Sequence, residues 1–463
     1  MTPATDRSAR YYRNTLYHGL LQGVSILVSL YLISFLLGRL GPERFGLWGA
    51  LSAAFGFFLL ADLGISSSFI HFFAKPISAG DRKGLWEEVL TGTYVYLVLL
   101  VVFLPVALFI LPWVLQFINA PEALRREAEG AYLFLLAAFA VRWLFTAYRS
   151  LLFAAERVDL LSMAGIGVTT LQATATVWVI ARGGDLVSLG AIAFVAAACA
   201  VSAELYLSHR LVLPFNSFIF CRPRIELFLR QWRFGLKVQV VRLAETVHLH
   251  LDKLLLAHLV AISAVAFYDV GAKAASAAAL LPAVFLPAVA PAVAQWSAAG
   301  QQAEVIRFYN RLMRWTVLIV FPLATLIILG SGWILEIWLG TSPPDPRMVE
   351  AVIWLTLGQA AYALTGPGRL AARGMGEPTE EMRAALFMAA GALFLNLPLI
   401  VILGFRGALL GTAGSMIIGS IYFLIRFHRR FGIPIQSLFQ TFAVPAITSV
   451  FMILCVLALE YLL

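Results

Sequence analysis

The chain has 463 residues, of which 61% are hydrophobic and 13% are charged, whereas soluble domains are about 45–50% apolar and about 25% charged. Runs of about 20 apolar residues, each long enough to cross a hydrocarbon core about 30 Å thick, recur from Leu16 to Leu463. The gaps between them are too short for a water-soluble catalytic domain of ordinary size. Composition therefore predicts an all-α polytopic membrane protein and argues against most enzymes.

About thirteen runs of this length fit the sequence. They lie near residues 14–37, 45–73, 89–111, 129–152, 160–181, 186–207, 234–260, 266–294, 315–338, 349–371, 382–403, 408–427 and 438–462. No small-residue cleavage site ends the first run, so we expect a retained span instead of a signal peptide. An odd number of spans predicts a carboxyl terminus on the side of the membrane opposite the amino terminus.

Lys and Arg are divided unequally between the two alternating sets of loops. About 23 of the 34 basic residues fall in the set that includes the amino terminus, and about seven in the other. The positive-inside rule therefore predicts a cytoplasmic amino terminus, and it accounts for the net charge of +9 without nucleic acid as a partner. The longest gap is basic and follows the sixth span. We expect an amino-terminal lobe at residues 1–207, a cytoplasmic linker at 208–233, a carboxyl-terminal lobe at 234–427 and an extra span at 428–463.

Ionisable side chains inside apolar spans are candidates for function, because a charge at the bilayer centre costs about 2.5–3.5 kcal/mol. The basic candidates for binding an anionic head group are Arg142, Arg242, Lys253 and Lys273. On span one, His18 and Gln22 lie on the polar side of a helix whose opposite side is apolar, which favours a cavity lining. Uncharged polar residues also serve as hydrogen bonds between helices, and that alternative stays open for span one.

Span seven carries a polar stripe. At 100° per residue, several of its ionisable side chains fall within an arc of roughly 140°. They are Arg242, Glu245, His248, Asp252 and Lys253. The alternative to a functional stripe is a set of pairs at helical spacing, Glu245 with Arg242 and His248 with Asp252, that only holds helices together.

The acidic residues Asp62, Glu245 and Asp252 are candidates for binding a coupling ion, H⁺ or Na⁺. Burial disfavours a charged carboxylate and a nearby Arg or Lys favours it. Asp62 has no basic neighbour in its own span, so we expect it to bind a proton near neutral pH more readily than Glu245 or Asp252. The alternative is that Asp62 is locally paired or caps a helix break before Gly64.

Other patterns concern helix shape. Three prolines in span eight predict a bent or broken helix; they are Pro282, Pro287 and Pro291. Lys273 of the same span lies one turn after Asp269, which is its predicted partner. Two glycine pairs, Gly19 with Gly23 and Gly407 with Gly411, have the small-xxx-small spacing that predicts close helix packing.

Two segments of the chain resemble one another. Tyr148–Glu156, at the end of span four, shares an Arg, small residues and a Glu with Gly368–Glu377, at the end of span ten. If each half of the chain is a repeat of six spans, the repeats are related by an axis along the membrane normal.

Several motifs do not occur in the sequence. GxxxxGK[ST], HExxH and DxD are missing, which argues against an ATP-hydrolysing pump, a zinc protease and a common sugar-nucleotide transferase. The three cysteines show no metal-ligand or disulfide spacing. We therefore expect no cofactor, no metal and no enzymatic activity.

The segment Arg39–Trp48, followed by Asp62–Gly64, resembles the Wzx-type O-antigen and oligosaccharide flippases. Leu251–Leu256 with Ala266–Tyr268 is similar to the same family's Asp-Lys segment and its next helix. The resemblance in span order covers nearly the whole chain. These flippases belong to the multidrug/oligosaccharidyl-lipid/polysaccharide (MOP) exporter superfamily, so the resemblance implies two six-helix lobes around a central cavity, with one or more extra helices at the end.

The resemblance also implies a function. A flippase of this family moves an undecaprenyl-diphosphate-linked glycan from the cytoplasmic to the outer leaflet of the bacterial inner membrane. It implies alternating access, coupling to an ion gradient or to the membrane potential, and glycan-assembly enzymes as partners. Two alternatives stay open: a cation-coupled drug exporter of the same superfamily, and a membrane glycan polymerase or ligase.

Overall fold

The computed structural model describes residues 4–214, 224–279, 293, 296–297, 299–377 and 379–462. Within these ranges the regular structure is helical and no strand occurs, which confirms the all-α fold. The prolines of span eight lie outside the described residues, as does part of the predicted linker. The broken helix at span eight and the linker boundaries therefore stay predictions.

The chain forms two compact units, Met1–Leu243 and Ala244–Leu463, which we call the first lobe and the second lobe. The helices of the first lobe are α1 (Ala4–Phe58), α2 (Ile65–Ala79), α3 (Arg82–Phe117), α4 (Arg125–Leu144), α5 (Thr146–Ala154), α6 (Val158–Ala181) and α7 (Leu186–Leu211). Helix α8 (Ile225–Leu259) begins in the first lobe and ends in the second. The second lobe continues with α9 (Ile262–Ser276), α10 (Gln302–Leu329), α11 (Ser331–Leu339), α12 (Pro346–Leu364), α13 (Gly366–Gly374), α14 (Thr379–Leu403), α15 (Phe405–Arg430) and α16 (Gln436–Leu462).

Eight helices of the described residues are long and apolar enough to cross a membrane, or nine if the bent pair α4 and α5 is one span. One of these segments, Tyr12–Asp62, is 51 residues long and contains the first predicted run and the amino-terminal part of the second. They join at Gly41, whose φ of 78° is a conformation that glycine adopts without a steric penalty, and Pro42 follows it. The multi-pass membrane fold is thus supported, while thirteen spans and the side of the carboxyl terminus stay predictions.

The second predicted run is broken in the middle. A 3₁₀ turn, Leu59–Asp62, ends at Leu63 (φ 51°), and α2 begins after Gly64 (φ 75°). Two successive left-handed residues stop a helix, because the carbonyl and amide groups there no longer align. The helix break before Gly64 is therefore confirmed, and it leaves Asp62 at the end of a helical segment inside the lobe.

Each lobe has its own packing core. In the first lobe α1 packs against α6, α4 against α7 and α2 against α5. The core between them is aromatic and includes Phe69, Trp86 and Tyr96. In the second lobe α15 packs against both α12 and α14, and α9 packs against α12. Polar residues that are buried in these lobes must find partners on neighbouring helices or on the backbone of their own helix.

Cysteine labelling tests the predicted orientation. Gln301 precedes α10 and Ser342 follows α11, and both side chains are exposed. In a variant without native cysteines, Ser342→Cys is expected to react with an impermeant maleimide added to intact cells. Gln301→Cys is expected to react only after permeabilisation, because loop charge places it inside. The reverse pattern would contradict the orientation, and labelling of both positions in intact cells would contradict a crossing between them.

Candidate functional site: a cationic cavity in the first lobe

A polar cavity of about 300 Å³ lies within the first lobe. Its charged lining residues are Arg142, Arg149 and Glu204, and His18 and Gln22 also line it. Its other polar lining residues are Ser25, Ser162, Thr169 and Gln172. The structure therefore brings together Arg142, His18 and Gln22, which the sequence predicts to be substrate-binding. The volume is at the lower end of the range of small-molecule sites.

The polar side of α1 faces this cavity because of a contact one turn earlier. The Nδ2 of Asn14 donates to the carbonyl oxygen of Glu156 at 3.0 Å, and the amide of Asp159 donates to Asn14 Oδ1 at 2.9 Å. Residues four apart lie on one face of a helix, so docking Asn14 on the turn between α5 and α6 orients His18 and Gln22 in the same direction. Span one thus contributes a cavity lining.

A bend in the chain brings the two arginines to one carboxylate. Arg142 and Arg149 are seven residues apart, which in a straight helix is the same face but about 10 Å along the axis. Here α4 ends before Phe145 and α5 begins after it, at an angle of 46°. Arg142 Nη2 lies 4.0 Å and Arg149 Nη1 lies 3.8 Å from Oε1 of Glu204 on α7.

The three charged groups leave the cavity electropositive. Glu204 is 6% exposed, whereas the side chains of Arg142 and Arg149 are 42% and 45% exposed. One carboxylate faces two guanidinium groups at distances beyond hydrogen-bonding range. Glu204 therefore balances part of the charge without occupying the hydrogen-bond donors of the arginines, and those donors remain available to an anion.

Arg242 has a different environment from Arg142. Its Nη1 lies 3.5 Å from Oδ2 of Asp62, which is 5% exposed. Asp62 also accepts hydrogen bonds from Tyr96 and, at 2.7 Å, from Ser66. The side chain of Glu245, the partner that sequence spacing suggests for Arg242, lies outside the described part of α8.

The ion pair with Arg242 bears on whether Asp62 binds a proton. The preference for Asp62 as a proton site rests on the lack of a basic neighbour in its own span. In the structure, Arg242 of α8 is a basic neighbour of Asp62, and its guanidinium balances the carboxylate charge. The reason for preferring Asp62 over Asp252 therefore does not hold, although a coupling role for Asp62 stays a prediction.

Asp252 lies in a polar cluster of the second lobe. It is 1% exposed and accepts hydrogen bonds from Tyr268 at 2.8 Å, from Thr412 at 2.5 Å and from Asn396. These partners come from α9, α15 and α14, and all three are neutral. The proposed pairing of Asp252 with His248 is untested, because the side chain of His248 lies outside the described residues.

The lysines of the second lobe pair differently from the expectation. Asp269 is bound by Lys253, whose Nζ lies 2.5 Å from Oδ1, so the predicted partner of Lys273 is the partner of Lys253 instead. Lys253 reaches Asp269 from the adjacent helix α8, whereas Lys273 lies one turn further along α9 itself. Lys253 is consequently less available to a substrate than Arg142, and Lys273, half-buried in the last turn of α9, stays a predicted site residue.

Sequence reasoning missed several of these residues. Arg149 reads as a loop charge, although its seven-residue spacing from Arg142 is a helical signal. Glu204 and Asn396 lie inside apolar runs, where an isolated polar residue is itself a signal. Tyr268 and Thr412 carry no such signal, because both residue types are common in membrane helices.

The chain has a fold similar to that of solved transporters of the MOP superfamily. An inward-facing multidrug resistance MATE family transporter of this superfamily superposes with a TM-score of 0.73 at 14% identity, covering 88% of this chain and 94% of that one. The lipid II flippase MurJ, in an inward closed conformation, gives 0.74 at 13% identity, with coverage of 96% and 98%. A MOP-superfamily transporter from Pyrococcus furiosus gives 0.59 at 15%, with coverage of 91% and 95%.

Sequence comparison then gives the family. A profile described as polysaccharide biosynthesis protein matches residues 11–297, which is more than half of the chain. The protein belongs to this family, in agreement with its resemblance to Wzx-type flippases. Its structural neighbours named above are transporters and a flippase. No curated protein sequence matches the chain.

Glycine substitutions test how the Asp252 cluster is held. A Cβ on Gly411 would collide with Asn396, whereas a Cβ on Gly23 would meet no described atom within 4 Å. The close packing predicted for glycine pairs therefore holds at Gly411 and not at Gly23. Gly411→Ala is expected to lower the thermal unfolding midpoint of the purified protein by several degrees, because Asn396 must move away from Asp252.

Gly23→Ala is the matched control, and it is expected to leave the midpoint unchanged or slightly raised, since alanine favours helices by about 1 kcal/mol. Equal midpoints for the two variants would contradict the close approach of α14 and α15.

Proposed function

We propose that the protein is a flippase for a lipid-linked oligosaccharide. Its substrate would be an undecaprenyl-diphosphate-linked glycan, moved from the cytoplasmic to the outer leaflet of the bacterial inner membrane by alternating access. The observation that carries this proposal is the pair Arg142 and Arg149, half-exposed in a polar cavity, in a member of the polysaccharide biosynthesis family.

The chemistry of the cavity suits such a head group. A diphosphate needs fixed cations in a site of low dielectric constant, and a guanidinium presents planar, paired donors that match phosphate oxygens. The amide of Gln22 and the hydroxyls of Ser25 and Thr169 offer hydrogen bonds to sugar hydroxyls. A polyprenyl tail can stay in the lipid while the head group crosses, so no apolar tunnel is required. A similar fold serves lipid II, itself a lipid-linked substrate, in MurJ.

The alternatives fit this cavity less well. A cationic drug would meet two guanidinium groups and one carboxylate, and the excess positive charge repels it. A polymerase or ligase would need reactive groups arranged around a glycosyl acceptor, whereas the charged groups of this cavity are two arginines and a glutamate that balances them.

Ion coupling belongs, on this proposal, to the Asp252 cluster. A carboxylate that is held by neutral donors and shielded from water favours neutralisation by a proton or Na⁺. Asn396 Oδ1 is buried without a described partner, so the cluster has a second oxygen for a cation. The proposal needs no other cofactor.

The head-group site is tested in a deletion strain that depends on the protein for surface glycan. Arg142→Ala and Arg149→Ala are each expected to lower surface glycan about 10- to 100-fold and to accumulate its lipid-linked form, because each removes a charge-assisted hydrogen bond. Arg142→Lys should restore export only in part, since its ammonium lacks the paired donors.

Arg126→Ala, an exposed residue on the same helix as Arg142, is the matched control and should export normally. Protein abundance in the membrane is measured for every variant. Normal surface glycan in both cavity variants would contradict the proposed site, and loss of drug resistance with intact glycan would favour the drug exporter.

The coupling site is tested in proteoliposomes. Asp252→Asn keeps the hydrogen-bonding shape but removes the charge, so transport of a fluorescent lipid-linked glycan should lose its response to an imposed H⁺ or Na⁺ gradient. Asp62→Asn is measured beside it. An unchanged ion response in Asp252→Asn, with loss of response in Asp62→Asn, would move the coupling role to Asp62.

A further inference from the structure

The two lobes share a local structure, a helix break followed by a short helix, so residues at equivalent positions can be compared. In each lobe a long helix stops and a nine-residue helix follows: α5 after Phe145, and α13 after Thr365. Both short helices end in the same turn, in which the amide of Arg157 bonds to the carbonyl of Leu152 at 2.9 Å, as Glu377 does to Ala372. This extends the sequence similarity between spans four and ten to their backbone.

Of the three charged groups of the cavity, only Arg149 has a charged counterpart in the second lobe. Three residues before the break, Arg142 corresponds to Tyr362, and four residues after it, Arg149 corresponds to Arg369. Arg369 lies 4.1 Å from the ring centre of Tyr362 and donates to its hydroxyl at 2.5 Å. Arg369, the counterpart of Arg149 in the second lobe, thus binds the neighbouring side chain of Tyr362.

Glu204 also has an uncharged counterpart. Helices α7 and α15 both have 26 residues, and counting from the first residue of each pairs Glu204 with Phe423. Phe423 is fully buried in the core of the second lobe. The corresponding position of α15 is therefore filled by an apolar side chain and carries no carboxylate.

We propose that Glu204 is an internal counter-anion that exchanges with the diphosphate of the substrate. In the empty cavity Arg142 and Arg149 share the carboxylate. When a diphosphate arrives, the arginines turn their donors to its oxygens, and on release they return to Glu204. This role rests on the proposed function and adds a residue that sets the affinity for the head group.

The reason is charge balance. Two guanidinium groups and one carboxylate give the empty site one excess positive charge, and a diphosphate diester brings two negative charges, so the occupied site keeps one negative charge. Repulsion between Glu204 and the bound diphosphate then favours release. Without the carboxylate the occupied site would be neutral and the substrate would be held more tightly, which slows turnover.

Binding of inorganic pyrophosphate to the purified full-length protein tests this role by calorimetry. Glu204→Gln is expected to bind about 10- to 100-fold more tightly than the wild type, while its surface-glycan export falls. The double variant Arg149→Ala with Glu204→Gln restores the original excess charge and should return the affinity to within about threefold of the wild type. Glu129→Gln is the control and should match the wild type, because the side chain of Glu129 is 43% exposed and pairs with Arg125.

Variants are compared only if they unfold cooperatively with a thermal midpoint near that of the wild type. If Glu204→Gln does not fold, Glu204→Ala replaces it as the charge-removing variant. Equal or weaker pyrophosphate binding in the folded charge-removing variant would overturn the counter-anion role, and so would undetectable binding in both it and the wild type.

Different results would contradict the flippase proposal and the counter-anion proposal. If Glu204→Gln tightens pyrophosphate binding but Arg142→Ala and Arg149→Ala both export glycan normally, the proposed function fails, while Glu204 still acts as a counter-anion for a diphosphate in this cavity. If Arg142→Ala loses export but pyrophosphate affinity is unchanged by Glu204→Gln, the counter-anion role fails and the flippase proposal stands.

Discussion

The cost of moving a charge out of water is the constraint on which this structure depends. In a chain that is largely apolar and embedded in lipid, each ionised group must be balanced by another group or face a polar cavity. The described residues show three solutions. Lys253 and Asp269 form a direct ion pair, Asp252 is held by neutral donors, and Glu204 lies between two arginines at the edge of a cavity.

Breaks in the helices bring Asp62 and the two cavity arginines to their partners. A straight helix satisfies its own backbone in lipid but distributes its side chains along a fixed spiral, so distant residues cannot meet. The left-handed pair at Leu63 and Gly64 places Asp62 within reach of Ser66 and Tyr96. The bend at Phe145 lets Arg142 and Arg149 approach the same carboxylate.

The two lobes differ in whether their polar side chains face a cavity or bind one another. The first lobe keeps guanidinium donors half-exposed in a cavity, as an anionic substrate requires. The second lobe closes its polar atoms around Asp252 and stacks Arg369 on Tyr362. On our proposal this asymmetry separates substrate binding in the first lobe from ion coupling in the second.

The sequence by itself determined the all-α membrane fold and the approximate position of most helices, and it singled out Arg142, His18 and Gln22 as candidates. These follow from composition and helical periodicity, which are properties of neighbouring residues and of the lipid around them. Only the tertiary structure decided that Arg242 pairs with Asp62, that Lys253 takes Asp269, and that Arg149 and Glu204 join the cavity. Partners on other helices depend on how breaks and packing orient each helix, and a one-dimensional pattern does not specify these.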